Sequence, residues 1–195
     1  MPDRPLKLYL IRHGQTAWNA ARRVLGRTDI PLDEVGLVQA ASLGERLGAV
    51  DAVWSSPLAR ARQTAAALRG PAARLLDGLT EMDQGELDGL GETELMATHG
   101  PILLAWRTDP AGVRLPGGET MDEVQARGLE ALAQVAAGAE GRVAVVTHQI
   151  VISATLCALS GESLSRWRSH THPNCAWTEI EWGPTPRILA EKISP

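Results

Sequence analysis

RVAVVTHQIVISATLCALSG, residues 142–161, reads as a strand running directly into a helix. RVAVVTH (142–148) is the clearest strand in the chain, because its apolar residues follow one another without polar alternation and so suit burial on both faces of a sheet. QIVISATLCALSG (149–161) continues as a buried helix. Upstream, KLYLIR (7–12) is a first strand, DEVGLVQAASLGERL (33–47) a helix capped by Asp33, and DAVWSS (51–56) a second strand. Leu37, Ala40, Ala41, Gly44 and Leu47 share a face of that helix.

The remaining segments extend the alternation. Ser56 as N-cap and Pro57 as first helical residue start the helix LARARQTAAALRG. ARLL is a short third strand. Two short helices broken at Gly100-Pro101 fill 91–107, DPAGVRLPGGE (109–119) is a loop, and a long helix runs from Thr120 to Ala137. AWTEIEW and RILAEKI form a hairpin around Gly183-Pro184. The pattern predicts one α/β domain over residues 1–195: three layers, with a mainly parallel sheet covered by helices on both faces.

Composition narrows the function classes. At 195 residues and 44% hydrophobic content the chain can bury a substantial core, and a net charge of -4 does not point to nucleic acid or an anionic membrane as partner. Cys157 and Cys175 lack metal-type spacing and read as apolar fillers. Neither a secretory leader nor a stretch approaching the ~20 apolar residues of a membrane span is visible, so a cytoplasmic location is expected. The charge is uneven, however. Residues 1–27 hold Arg4, Lys7, Arg12, Arg22, Arg23 and Arg27 against Asp3 alone, whereas residues 77–94 hold seven acids and no base.

Strand ends place the chemistry. Ligands of open parallel sheets bind beyond the carboxyl ends of the strands. His13 follows the first strand there, His148 follows VAVVT in the same way, and Arg60 lies near the same rim. Gly14 lets the backbone after His13 bend sharply or approach a ligand closely. A neutral imidazole is a nucleophile near pH 7, and arginine forks match phosphate oxygens, so the residues suit phosphoryl transfer through histidine. The acidic stretch LTEMDQGELDGL supplies Glu81, Asp83, Glu86 and Asp88 as candidate acids for the leaving oxygen, and chemistry alone does not choose among them.

LIRHGQTAWN, GRTDIPLDEVGLVQA, SSPLARARQTA, LTEMDQGELDG, PGGE and VVTHQ, in this order, resemble the histidine phosphatase (phosphoglycerate-mutase-like) superfamily over about residues 7–180. The resemblance implies His13 as phosphorylated nucleophile, Arg12, Arg60 and His148 as phosphate contacts, and Glu81 as proton donor, with Asp83 or Glu86 as rivals. It also implies Gln15, Thr16, Asn19 and Gln149 near substrate, no metal and no cofactor. The register S-P-L-x-R favours Arg60 over Arg62. The dipeptide His148-Gln149 is similar to α-ribazole-phosphate phosphatases.

The expected substrate is a small phosphorylated metabolite. Only 37 residues lie between Glu81 and Glu119, which favours a phosphatase over the longer, enclosed mutases. A mutase is the alternative, and a non-catalytic phospholigand module the third reading. PGGE reads equally as a turn feeding a helix, and His99, His170 and His172 as surface-loop residues, the last two near the pocket. Arg22, Arg23, Arg27 and Trp106 are the pocket-wall residues expected to set specificity, and oligomeric state is not legible.

Overall fold

The computed structural model describes residues 6–195. Among them, strands β1 (Leu6–Arg12), β2 (Ala52–Ser55), β3 (Arg74–Leu75), β4 (Arg142–Thr147), β5 (Trp177–Trp182) and β6 (Arg187–Ile193) form one sheet in the order β3-β2-β4-β1-β5-β6. The β3-β2, β2-β4 and β4-β1 pairs are parallel, and β5 and β6 add antiparallel to the β1 edge. β1 and β4 lie in register from Lys7 opposite Arg142 to Arg12 opposite Thr147. His13 and His148 therefore leave the sheet side by side.

Helices α1 (Ala17–Ala20), α2 (Glu34–Leu47), α3 (Ala59–Ala66), α4 (Glu92–Thr108), α5 (Met121–Ala137) and α6 (Gln149–Leu159) complete the layers. Side chains of a strand alternate between faces. Tyr9 and Ile11 of β1 and Ala144 and Val146 of β4 join α2 and α3 in one core cluster. Leu8, Leu10, Val143 and Val145 join α5 and α6 in the other. The expected three-layer α/β arrangement is what forms.

Local details differ from the sequence reading for physical reasons. α3 begins at Ala59, not at Pro57, because Leu58 stays extended at ψ 141°. Its first amide donates to Asp29 Oδ1 at 2.6 Å, and the Ser56 hydroxyl accepts from the Leu58 amide at 3.3 Å and meets His148 Nε2 at 2.8 Å. α3 ends at Ala66, four residues short of Gly70. The buried face of α2 is Gly36, Ala40, Leu43, Gly44 and Leu47, while Leu37 is 52% exposed and Ala41 is also exposed.

The segment expected to break at Gly100-Pro101 is one continuous helix, α4, with Pro101 inside it. Proline removes the amide that would bond the Ala97 carbonyl, but Ala97 is exposed, which leaves that oxygen open to solvent. No residue of α4 is buried. Leu95, Leu103 and Trp106 on its inner side cover a third cluster that includes Met82, Leu87, Met121, Ile150 and Val151, beside the 3-10 helix Leu164–His170. No helix of the described residues is long and apolar enough to cross a membrane.

Candidate active site

A cleft of about 210 Å³ opens at the carboxyl end of β1, lined by Arg12, His13, Asn19, Arg23, Leu25, Glu81, Gln84, Gln149 and Ile150. His13 is held by backbone on three sides. Its amide donates to Thr147 O at 3.1 Å, and its carbonyl accepts from Asn174 Nδ2 at 2.9 Å and from the Cys175 amide at 3.3 Å. The ring Nδ1 lies 2.7 Å from Gly14 O. A carbonyl only accepts, so Nδ1 carries the proton and Nε2 keeps a free lone pair. Burial, with the charges of Arg60 and Arg12, holds the His13 pKa well below the ordinary histidine value, so the ring is neutral.

Gly14 bends toward protein, not toward the cleft. A Cβ placed on Gly14 would lie 2.7 Å from Gly36 O, and one on Gly36 only 2.0 Å from Gln15 O. The two glycines let the loop after His13 rest directly on the first turn of α2. Gln15 is spent on this junction, its Nε2 donating to Asp33 Oδ2 and its amide to Gln39 Oε1. Thr16 caps α1, in a reciprocal box with Asn19. Asn19 therefore faces the cleft, while Gln15 and Thr16 support it from outside.

Arg60 and His148 sit behind His13, fully buried. The Arg60 guanidinium donates to Gly26 O at 2.6 Å, Thr28 O at 2.9 Å and His148 Nδ1 at 3.3 Å. Guanidinium only donates, so His148 accepts at Nδ1 and offers its Nε2 proton to Ser56 Oγ at 2.8 Å. Burial and the neighbouring Arg60 and His13 push the His148 pKa well down. The His13 and His148 ring centroids are 5.0 Å apart. Asp88 organises the carbonyls around Arg60, accepting from the Gly26 and Thr28 amides and the Thr28 hydroxyl. Arg62 has no place in this arrangement.

Arg12 donates through Nη1 to His172 O, and its buried Nε has no partner. It is a cation aimed past His13 with donors to spare. Glu81 is the acid that lines the cleft. Its Oε1 accepts from the Met82 amide at 2.8 Å and its Oε2 from the Ile150 amide at 3.3 Å, in the first turn of α6. Burial raises its pKa against the pull of these bonds and of Arg60, favouring the protonated form. Asp83 pairs with Arg27 and accepts from the Gly85 amide, and Glu86 pairs with His99 on the outside.

Other readings change. His170 and His172 are buried, not on surface loops. His170 bonds Glu191, and His172 is fixed between His170 O and Thr178 Oγ1. His99 lies in α4. Gln149 lines the cleft while its side chain bonds Ser153 and the His172 amide. Of the expected specificity residues, Arg23 reaches the cleft, Arg27 is paired to Asp83 and Glu119, and Trp106 packs on Trp167. Leu25, Gln84, Ile150 and Ser56 escaped sequence reading because nothing local distinguishes them from loop and helix residues. Among the described residues no group of three or more His, Cys, Asp or Glu could hold a metal ion.

A neutral imidazole with a free lone pair, beside a donor-rich arginine and a carboxyl whose pKa burial raises, is suited to phosphoryl chemistry. A model of the histidine phosphatase superfamily, branch 1, matches residues 8–191. The chain belongs to the histidine phosphatase superfamily. It is 38% identical over 157 residues to a metal-independent phosphoserine phosphatase of Arabidopsis thaliana, covering 76% of this chain and 66% of that protein. It is 30% identical over 195 residues to a probable phosphoglycerate mutase, GpmB, of Yersinia pestis, covering 95% and 89%. Among solved structures, a mycobacterial glucosyl-3-phosphoglycerate phosphatase complexed with VO3 superposes with a TM-score of 0.85 at 30% identity, over 97% of this chain and all of that one. A histidine phosphatase enzyme, rather than a passive phospholigand module, is therefore what this chain folds into.

Proposed function

We propose that the chain is a metal-independent phosphomonoesterase that hydrolyses a small phosphate ester through a phosphohistidine on His13, with Glu81 as proton donor. The observation that carries this reading is the His13 ring. Its Nδ1 proton is tied to Gly14 O, its Nε2 lone pair is free, and Arg12 and Glu81 line the same cleft. In the first half, Nε2 attacks phosphorus, the bond to the ester oxygen breaks, and Glu81 gives that oxygen its proton. In the second, Glu81 takes a proton from water, the hydroxide attacks phosphorus, and the bond to Nε2 breaks to release inorganic phosphate. Arg12 and Arg60 stabilise the charge on the transferring oxygens, so most of the catalysis is positioning and electrostatics. His148 joins them if its Nε2 proton turns from Ser56 to phosphate.

The cleft suits a small, polar leaving group. Arg23 on its outer wall has no carboxylate partner among the described residues and bonds only Gly89 O. A carboxylate on the departing alcohol would complement it. The relatives named for phosphoserine and glucosyl-3-phosphoglycerate act, by those names, on esters of that chemistry. Likeness to the Yersinia protein supports a second reading, in which the phosphoryl group passes to another hydroxyl instead of water.

Turnover of 4-nitrophenyl phosphate in excess chelator, lost in His13→Ala, is the expected result. Interconversion of phosphoglycerates that depends on a bisphosphate primer, without hydrolysis, would replace this reading by the second. Glu81→Gln is expected to slow an alkyl ester such as phosphoserine about 100-fold and nitrophenyl phosphate, whose leaving group hardly needs a proton, far less. Equal slowing of both would remove Glu81 from the donor role.

A further inference from the structure

The PGGE turn and α5 build a clamp that the chemistry above does not use. Arg127, on α5, spends all five guanidinium protons. Nε and Nη2 fork onto the two Glu119 oxygens at 3.0 Å each. Nη1 donates to Gly78 O at 3.0 Å and to Thr80 O at 2.5 Å, and Nη2 also donates to Glu81 O at 3.1 Å. Glu119 Oε2 in turn accepts the Asp83 amide at 2.8 Å, and the Glu119 amide donates to Asp83 O at 3.0 Å. Every one of these contacts except the ion pair itself falls on the backbone of residues 78–83, the loop that carries Glu81.

The turn is shaped for this. A Cβ on Gly118 would lie 2.4 Å from Asp83 O, so only glycine lets the two segments meet. Arg27 closes the outer side, bonding Glu119 at 3.1 Å and Asp83 at 3.5 Å. Burial disfavours the Glu119 charge, but the bonds from Arg127 and Asp83, with the charges of Arg127 and Arg27, outweigh it and hold its pKa below the ordinary carboxylate value. The pair is ionised and bidentate, an arrangement that adds geometric specificity to the charge attraction. Neither Arg127 nor Glu119 lines the cleft.

We infer that Arg127 and Glu119 are positioning residues for proton transfer: they fix the main chain around Glu81 so that its carboxyl stays at donor distance from the leaving oxygen. The inference rests on the reading of Glu81 as proton donor. The Glu81 carboxyl is otherwise held by two backbone amides, one of them Met82 in the same loop, so a loop that shifts takes the acid with it. His13, Arg12 and Arg60 are anchored to other elements and would stay in place. The clamp therefore acts on protonation of the leaving group and not on phosphate binding or attack.

The experiment compares two esters across three variants, Arg127→Met, Glu119→Gln and Glu81→Gln, with vanadate inhibition and circular dichroism as controls. Displacement of a catalytic group by about 1 Å can cost on the order of 100-fold. For Arg127→Met the expected result is a fall in kcat of about 10- to 100-fold with phosphoserine, a fall of less than about threefold with 4-nitrophenyl phosphate, and an unchanged vanadate inhibition constant. Glu119→Gln keeps the side-chain volume and an acceptor oxygen, should follow in the same direction, and carries the comparison if Arg127→Met does not fold. Equal losses on both esters, a weakened vanadate complex, or no loss on either would overturn the inference. The Glu81→Gln arm separates the two failures. A leaving-group split there without one in the clamp variants sinks the clamp alone, and no split in Glu81→Gln sinks the donor reading beneath it.

Discussion

Two buried imidazoles, His13 and His148, stay neutral beside two guanidinium groups, and that fact has a consequence for stability. Their folded pKa values lie below the unfolded value of about 6.5. As pH falls below about 6.5 the unfolded chain takes up protons that the folded chain refuses, so each ring lowers stability by up to about 1.4 kcal/mol per pH unit. Glu81, whose folded pKa is raised, works the other way: its contribution is lost as pH rises above its unfolded value and through its folded one. Burial lowers the His172 pKa as well, so one group opposes three and stability should decrease from pH 7.5 to pH 5.5 in urea titrations. A constant or rising value would mean that the rings are charged in the fold. At this scale residue type alone brought His13 and Arg12 forward as candidates, whereas Glu81 stood level with Asp83, Glu86 and Asp88 until the family resemblance chose it. The sequence was silent on Arg127, because the partners of that side chain are mostly carbonyl oxygens, which no side-chain pattern displays. His170 and His172 misled for a related reason: polar residues in a loop composition read as exposed, yet here Glu191 bonds Nδ1 of His170 and Thr178 bonds Nε2 of His172 inside the fold.

The elements differ most in how firmly they are held. α6 buries Ile150 through Cys157 without interruption, whereas α4 has only partly buried residues on its inner side and carries Pro101 in its middle. Sequence alternation gave the sheet and its covering helices readily, since continuous apolar strands and amphipathic helices record their own burial. It placed a break at Gly100-Pro101 because proline opposes helix, yet α4 runs through Pro101 with Ala97, whose carbonyl loses its donor, exposed. Amide exchange should therefore be faster throughout α4 than in α5 or α6. Pro101→Ala restores the missing donor and a better helix former, with an intrinsic gain of up to about 3 kcal/mol, and should slow exchange in α4 while leaving α5 unchanged. Exchange in α4 as slow as in α6 before substitution would contradict its loose attachment. The N-terminus of α5 is different in kind. Thr120 and Glu123 cap it reciprocally, one residue after Glu119, so the clamp on the acid loop stands on a well-capped helix.

The whole molecule brings together segments far apart in the chain. Parallel pairing of β1 with β4 sets His13 beside His148, the loop from Gly26 to Thr28 wraps Arg60, and the PGGE turn presses the acid loop toward the cleft. Strand order was not legible from the sequence, since pairing between distant strands leaves no local mark, but the expectation that both histidines share a rim needed only that their strands be parallel neighbours. The cleft that results holds one candidate nucleophile, one candidate acid and one unpaired cation on its outer wall. The most direct test of the central claim is rapid acid-free quenching of the enzyme during turnover of a phosphorus-labelled ester, followed by peptide mapping. Label is expected on His13, stable in base, labile in acid and absent from His13→Ala. Turnover without a labelled protein, or label on any other residue, would contradict it.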